Sequence, residues 1–190
     1  MNRLRPILIV VAGLLLAGAL TALVIREHQA RASGREIVLT IRGADPRDLL
    51  TGHYVAFSMV EPLKATEMCP VTLLNPTMRL GWVALSPKGD HWQATGWAAD
   101  RAIAARLGLV TVKGSAYCEP HGLHHIQLDI GVNAFHASQA QAEQIARDIS
   151  RWSPGTQEPP PAYALVSVGQ DGHARLTGLL IAGHRIGLDW

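Results

Sequence analysis

Twenty consecutive residues, Pro6 to Ile25 (PILIVVAGLLLAGALTALVI), carry no charge. About 20 apolar residues at 1.5 Å rise per residue match a hydrocarbon core of ~30 Å. A run of this kind either spans a bilayer or is cleaved away as a secretory signal, whose apolar region needs only about 7–15 residues and an A-x-A-like site. Only ALTA (Ala19 to Ala22) and ARA (Ala30 to Ala32) resemble such a site. The length therefore predicts an uncleaved anchor. Arg3 and Arg5 precede the run, while Arg26, Arg31 and Arg35 follow it. The expected orientation is N-terminus in the cytoplasm, because two cysteines beyond the run suit an oxidising space. The expected organisation is an anchor and polar tether over residues 1–34, then an extracytoplasmic domain over 35–190. That domain would lie in the periplasm of a cell with two membranes.

Beyond the anchor the periodicity drops to two. In REIVLTIR, Ile37, Leu39 and Ile41 fall on one side and Val38 and Thr40 on the other. GHYVAFSMV, LGWVALS, HWQATGW, LVTVKGSAY, LHHIQLDIG, AYALVSVG and HARLTGLLIAGHRIGL behave alike, as half-buried strands do. PKGD (Pro87 to Asp90) and QDG (Gln170 to Gly172) are turn signals, since Gly and Asp tolerate positive φ. EPLKATEMCPVTLLNPTMR reads as an irregular excursion, and SPGTQEPPP (Ser153 to Pro161) as a stiff loop. HASQAQAEQIARDISRW predicts a helix: Ser138 and Gln141 fit a capping box, and Ile145, Ile149 and Trp152 form one stripe. A second helix is expected in AADRAIAARLG, stopped by Gly108. About 150 residues suffice to bury a core of their own. The expected fold class is α+β: a transmembrane helix, then a mostly antiparallel sheet or flattened barrel with one or two packed helices.

DPRDLLTGHYVAF (Asp45 to Phe57) concentrates unusual residues. Asp45 can cap a helical turn, Pro46 suits its first position, and Asp48 faces the positive end of its dipole. Gly52 can stop the turn in a left-handed conformation, after which His53 and Tyr54 open a strand. Each residue thus has a conformational role before any chemical one. The stretch resembles the signature of the GDYXXLXY proteins. LDIGVNAFHASQAQAEQIARD resembles that family's second block, and DGHARLTGLLIAGHRI its closing hairpin. The signature departs from the family pattern at His53 (aspartate), Phe57 (leucine) and Met59 (tyrosine), and the second block at Asn133 (glutamate). Any acid–base or metal chemistry resting on those two carboxylates is lost here. The resemblance implies a membrane anchor with a domain outside, working beside a polytopic protein of the inner membrane.

Chemistry-bearing clusters are few. CEPHGLHH brings Cys118, His121, His124 and His125 together, and a C-x₂-H-x₂-H spacing offers ligands to zinc or copper. The plain alternative is an exposed turn followed by a strand, with His125, Gln127 and Asp129 towards solvent and Ile126, Leu128 and Ile130 inward. Cys69 and Cys118 are the only cysteines and are expected to pair in an oxidising compartment. Without a C-x-x-C, a reactive thiol ranks below that bridge. Ser58 with Lys113 or Lys88 is the remaining nucleophile–base pairing, a serine–lysine arrangement. No P-loop, dinucleotide fingerprint or H-E-x-x-H occurs, and no cofactor is expected. Seventeen basic residues against 15 acidic ones, a net charge of +2, argue against a nucleic-acid partner. The chain is therefore expected to be a non-catalytic accessory or binding domain on a membrane anchor. The alternatives are a metal-binding or thiol-active periplasmic protein and a serine–lysine peptidase-like enzyme.

Overall fold

The structure is a computed structural model and describes residues 4–43, 54–63, 67–74, 80–118, 125–150 and 162–187. Helix α1 (Leu4–Ser33) leads into strand β1 (Arg35–Gly43), followed by β2 (Tyr54–Pro62), β3 (Gly81–Lys88) and β4 (His91–Ala98). After the one-turn helix α2 (Arg101–Ala104) come β5 (Val110–Cys118), β6 (His125–Asp129) and β7 (Ala134–His136). Helix α3 (Gln139–Ser150) precedes β8 (Ala162–Val168), β9 (Ala174–Ile181) and β10 (His184–Gly187). The strands form one antiparallel sheet in the order β10-β9-β8-β1-β2-β6-β5-β3-β4, with β7 pairing the start of β2. The path has two ends, so the sheet is open, yet β4 at one end packs against β1 in the middle.

Alternation decides which face turns inward. Ile37, Leu39 and Ile41 of β1 and Val55, Phe57 and Met59 of β2 meet Val83 and Leu85 of β3 and Val112 of β5 in the core. Burying each such side chain contributes about 1.5–3 kcal/mol. Two β-bulges tighten the coil. The β3–β4 register slips between Ala84 and Leu85, leaving Thr95 unpaired, and the β8–β9 register slips between Leu165 and Val166, leaving Thr177 unpaired. The extra Thr177 donates its hydroxyl to the Leu165 carbonyl of the disturbed strand at 3.0 Å, while Thr95 Oγ1 lies 3.3 Å from the Ala84 carbonyl and gives its proton to the Leu107 carbonyl at 2.7 Å. Bulges add local twist, which bends a long sheet towards itself.

Helix α3 lays Ala142, Ile145 and Ile149 onto β1 and β2, as its apolar stripe predicts; Trp152 and the 153–161 loop lie outside the described residues. The helix expected through Gly108 is only one turn, Arg101–Ala104, because Leu109 N–H turns to the Leu85 carbonyl at 2.9 Å. Pairing against β3 displaces further helical bonds. The turns at Gly89 (φ 65) and Gly172 (φ 76) use the positive φ their sequences suggested.

The junction between anchor and sheet differs from a loose tether. Residues 26–33 complete α1, and β1 starts two residues after it. Glu27, Ala30, Arg31 and Gly34 are half-buried, at the spacing of one helical face. Ser167 Oγ donates to the Arg31 carbonyl at 2.7 Å, and Arg175 Nε donates to Glu27 Oε1 at 2.8 Å. Gly34 is necessary for this approach: a Cβ there would collide with Ser167 Oγ and lie 3.0 Å from the Val168 carbonyl oxygen. The stretch from Leu8 to Ile25 touches none of the domain, and its large side chains are exposed. Cys69 and Cys118 are joined by a disulfide, with Cα atoms 6.4 Å apart, which pins the excursion after β2 to the end of β5.

Gly34→Ala is expected to destabilise the full-length protein in detergent by about 1–3 kcal/mol in urea unfolding, and Ser167→Ala to recover part of that loss. A Gly34→Ala protein as stable as the parent would contradict the close approach. Replacing both cysteines by serine is expected to cost about 4 kcal/mol for a loop of 49 residues in the chain-entropy treatment. Mass spectrometry without reductant should find no free thiol.

Candidate functional site

Along β2, every second side chain from Val55 points into the core: Val55, Phe57, Met59 and then Glu61. A carboxylate at that fourth position is 7 % exposed and needs partners to stay charged there. It receives them from three strands. Thr40 of β1 donates its hydroxyl to Glu61 Oε2 at 3.0 Å, and His91 Nε2 of β4 lies 2.9 Å from Oε1. Lys88 Nζ at the end of β3 is 3.6 Å from Oε1 and 2.7 Å from Glu67 Oε2.

The other nitrogen of His91, Nδ1, is 2.8 Å from Asp90 Oδ1, and Asp90 Oδ2 accepts the Tyr163 hydroxyl of β8 at 3.1 Å. The His91 and Tyr163 rings stack with centroids 6.0 Å apart. Beside them Arg35 of β1 lies 5.0 Å over the Trp92 ring. A neutral imidazole has one N–H and can satisfy only one of two carboxylates, whereas an imidazolium satisfies both. Burial, the largest single influence on His91, opposes its charge, but the hydrogen bonds to Asp90 and Glu61 outweigh it and raise its pKa. Bonds from His91 and then Tyr163 lower the Asp90 pKa. Burial first, and then the Asp90 carboxylate, push the Tyr163 hydroxyl up to about 12. The cluster thus favours the protonated form of His91 between two carboxylates and fastens the β3–β4 hairpin to β2 and β8. It contains no serine or cysteine nucleophile.

The residues singled out from sequence are placed differently. Asp45, Pro46, Asp48, Gly52 and His53 lie outside the described residues, as do His121 and His124. Tyr54 opens β2 opposite His136, with ring centroids 6.0 Å apart. Phe57 and Met59, where the chain departs from the family signature, are core side chains. Asn133 is adjacent: its carbonyl accepts the Phe57 N–H at 2.9 Å, and β7 continues the pairing with β2. The two signature blocks are therefore neighbours in one ladder.

Cys118 is bonded to Cys69, so it has no thiolate to give a metal. His125 opens β6 opposite Pro62. Among the described residues no three His, Cys, Asp or Glu side chains are grouped to hold a metal ion. Ser58 pairs with Arg42 in the β1–β2 ladder. Lys88 is engaged by Glu61 and Glu67, and Lys113 Nζ lies 3.3 Å from His173 Nε2 and 5.6 Å over Trp82. Among the described contacts of these two lysines, none is to Ser58.

Because the folded-state pKa of His91 is raised above its ordinary 6.5, its charged contacts contribute fully below that value. They are lost as the pH climbs through the raised one. The thermal midpoint is therefore expected to fall as the pH rises above 6.5, and His91→Gln to flatten that slope. Equal slopes in the two proteins would show that His91 does not hold the proton.

Among known proteins, the model of the family described as GDYXXLXY protein matches residues 16–179. No curated protein and no solved structure matches the chain. The match begins within α1, runs through both paired signature blocks and ends in β9, covering most of the sequence. The chain belongs to the GDYXXLXY family.

Proposed function

We propose that this chain is a single-pass inner-membrane protein whose β domain lies outside the cytoplasm and serves as a non-catalytic accessory subunit beside a polytopic membrane protein. The observation that carries the proposal is the anchor junction. α1 passes through Gly34 directly into β1, a strand inside the sheet, and Arg175, Ser167 and Val168 enclose the passage. A domain fixed to its helix holds one orientation to whatever lies beside that helix. A tethered catalyst that must reach its substrate gains from the opposite, a flexible linker. The Cys69–Cys118 bond supports an oxidising compartment, and the arginines before the apolar run support an N-terminus inside. The metal or thiol reading of Cys118 to His125 lacks its sulfur ligand while that bond is formed.

Photo-crosslinkers placed singly along α1 from Leu14 to Val24 in native membranes test the reading. The expected result is one multi-span protein captured from positions on a single helical face, with periodicity near 3.6. Crosslinks around the whole helix, or a turnover by the purified full-length protein that one side-chain change abolishes, would overturn it.

A further inference from the structure

From the end of the apolar run a chain of contacts leads across the domain to α2. Glu27 stands two residues past Ile25, about 3 Å along the helix axis, and the headgroup layer adds about 5–7 Å on each side of the hydrocarbon. Arg175 binds Glu27 at 2.8 Å and Asp171 at 2.9 Å. Gln170, in the same turn as Asp171, accepts Arg101 Nη1 on its carbonyl at 2.9 Å. The Gly172 carbonyl accepts the Lys113 N–H at 2.8 Å. Arg101 and Lys113 then lie over the Trp82 ring, at 4.8 and 5.6 Å.

The segment from Asp100 to Leu109 is held firmly against this edge. Asp100 caps α2 through the N–H groups of Ala102 and Ile103, and Ala104 is fully buried. Thr95 Oγ1 donates to the Leu107 carbonyl at 2.7 Å, and Gly108 lies so close to β3 that a Cβ would meet the Leu85 carbonyl oxygen at 2.8 Å. Despite that firm seat, Ile103 is 55 % exposed and Leu109 64 %. Arg101 and Arg106 are exposed beside them, and Lys113 follows on β5. The nearby carboxylates are already committed, Asp100 to the cap and Glu27 and Asp171 to Arg175.

We infer that the Asp100–Leu109 segment is a membrane-contacting surface: Ile103 and Leu109 enter the headgroup region of the bilayer that holds α1, while Arg106, Lys113 and Arg101 face anionic lipid phosphates. The inference rests on the reading of α1 as a membrane anchor. Exposed apolar side chains flanked by Trp and basic residues are the composition that suits a bilayer interface. Basic residues near an anionic leaflet are drawn to it within a Debye length. The contacts from Glu27 through Arg175 and the Gln170–Gly172 turn to Arg101 tie the segment to the end of α1.

The test uses full-length protein with its disulfide intact in vesicles containing phosphatidylglycerol. Nitroxide labels are placed singly at Ile103→Cys, Leu109→Cys, Glu143→Cys on α3 and Leu16→Cys within the anchor. Collision rates with lipid-soluble oxygen and a water-soluble nickel chelate are then compared. The oxygen-to-nickel ratio at positions 103 and 109 is expected to exceed that at 143 several-fold. It should fall to the value at 143 in phosphatidylcholine vesicles and in the Arg106→Gln/Lys113→Gln protein. Values at 103 and 109 equal to 143 in phosphatidylglycerol, with position 16 in lipid, overturn the inference and leave the anchor standing. A water-like value at position 16 overturns the anchor and the inference together. Lipid contact that persists undiminished in phosphatidylcholine overturns the assignment to anionic headgroups.

Discussion

A carboxylate cannot sit on the inner face of a sheet without partners, and the arrangement of this domain depends on how Glu61 finds them. One partner, Thr40, comes from the adjacent strand β1, but the others come from the far end of the strand order, on the β3–β4 hairpin. They reach it only because the sheet bends back over its own face. The bulges at Thr95 and Thr177 supply the twist, and His91 and Lys88 supply the charge that makes the closed arrangement favourable. Hydrogen bonds to charged groups contribute about 1.5–3 kcal/mol each, more than neutral ones. The open sheet therefore holds its curl through side chains, where a closed barrel would use backbone pairing.

The same economy governs the rest of the domain. Among the described residues of the excursion after β2, the regular structure is one short 3₁₀ turn at Val71–Leu73. The disulfide to Cys118 gives that excursion a fixed end. On the opposite side, Arg175 is almost enclosed and bonds both Asp171 and Glu27; those two bonds raise its pKa, Asp171 first. The reciprocal bond from Arg175 keeps the Asp171 carboxyl well below its usual range. One guanidinium thereby joins the anchor helix to the turn that closes the sheet.

Much of this was legible in the residues. Period-two alternation marked β1, β2, β6 and β8, the Ile145–Ile149 stripe marked α3, and the uncharged run marked α1. The long stretch after Asp171 divided into β9 and β10 at Ala182–Gly183, both with positive φ, as the closing hairpin of the family implies. The cluster around Glu61 leaves one local trace, in VAFSMVE: a glutamate in phase with Val55, Phe57 and Met59. Its direct partners Thr40, Lys88 and His91 are 21 to 30 residues away in sequence, and no local rule brings them together. The helical course of the tether is likewise set by contacts beyond its own sequence. Arg26 to Ser33 is polar enough to read as linker, but it continues α1, and Glu27 and Arg31 dock on Arg175 and Ser167.

The stiffness of the Gly34 junction has a mechanical meaning. An apolar run of this length matches a bilayer of average thickness, and a thinner one makes such a helix lean. On the anchor reading proposed above, the contacts of Glu27, Arg31 and Gly34 with β8 and β9 carry such a lean into the sheet, so the attitude of the domain follows the local thickness of the lipid around it.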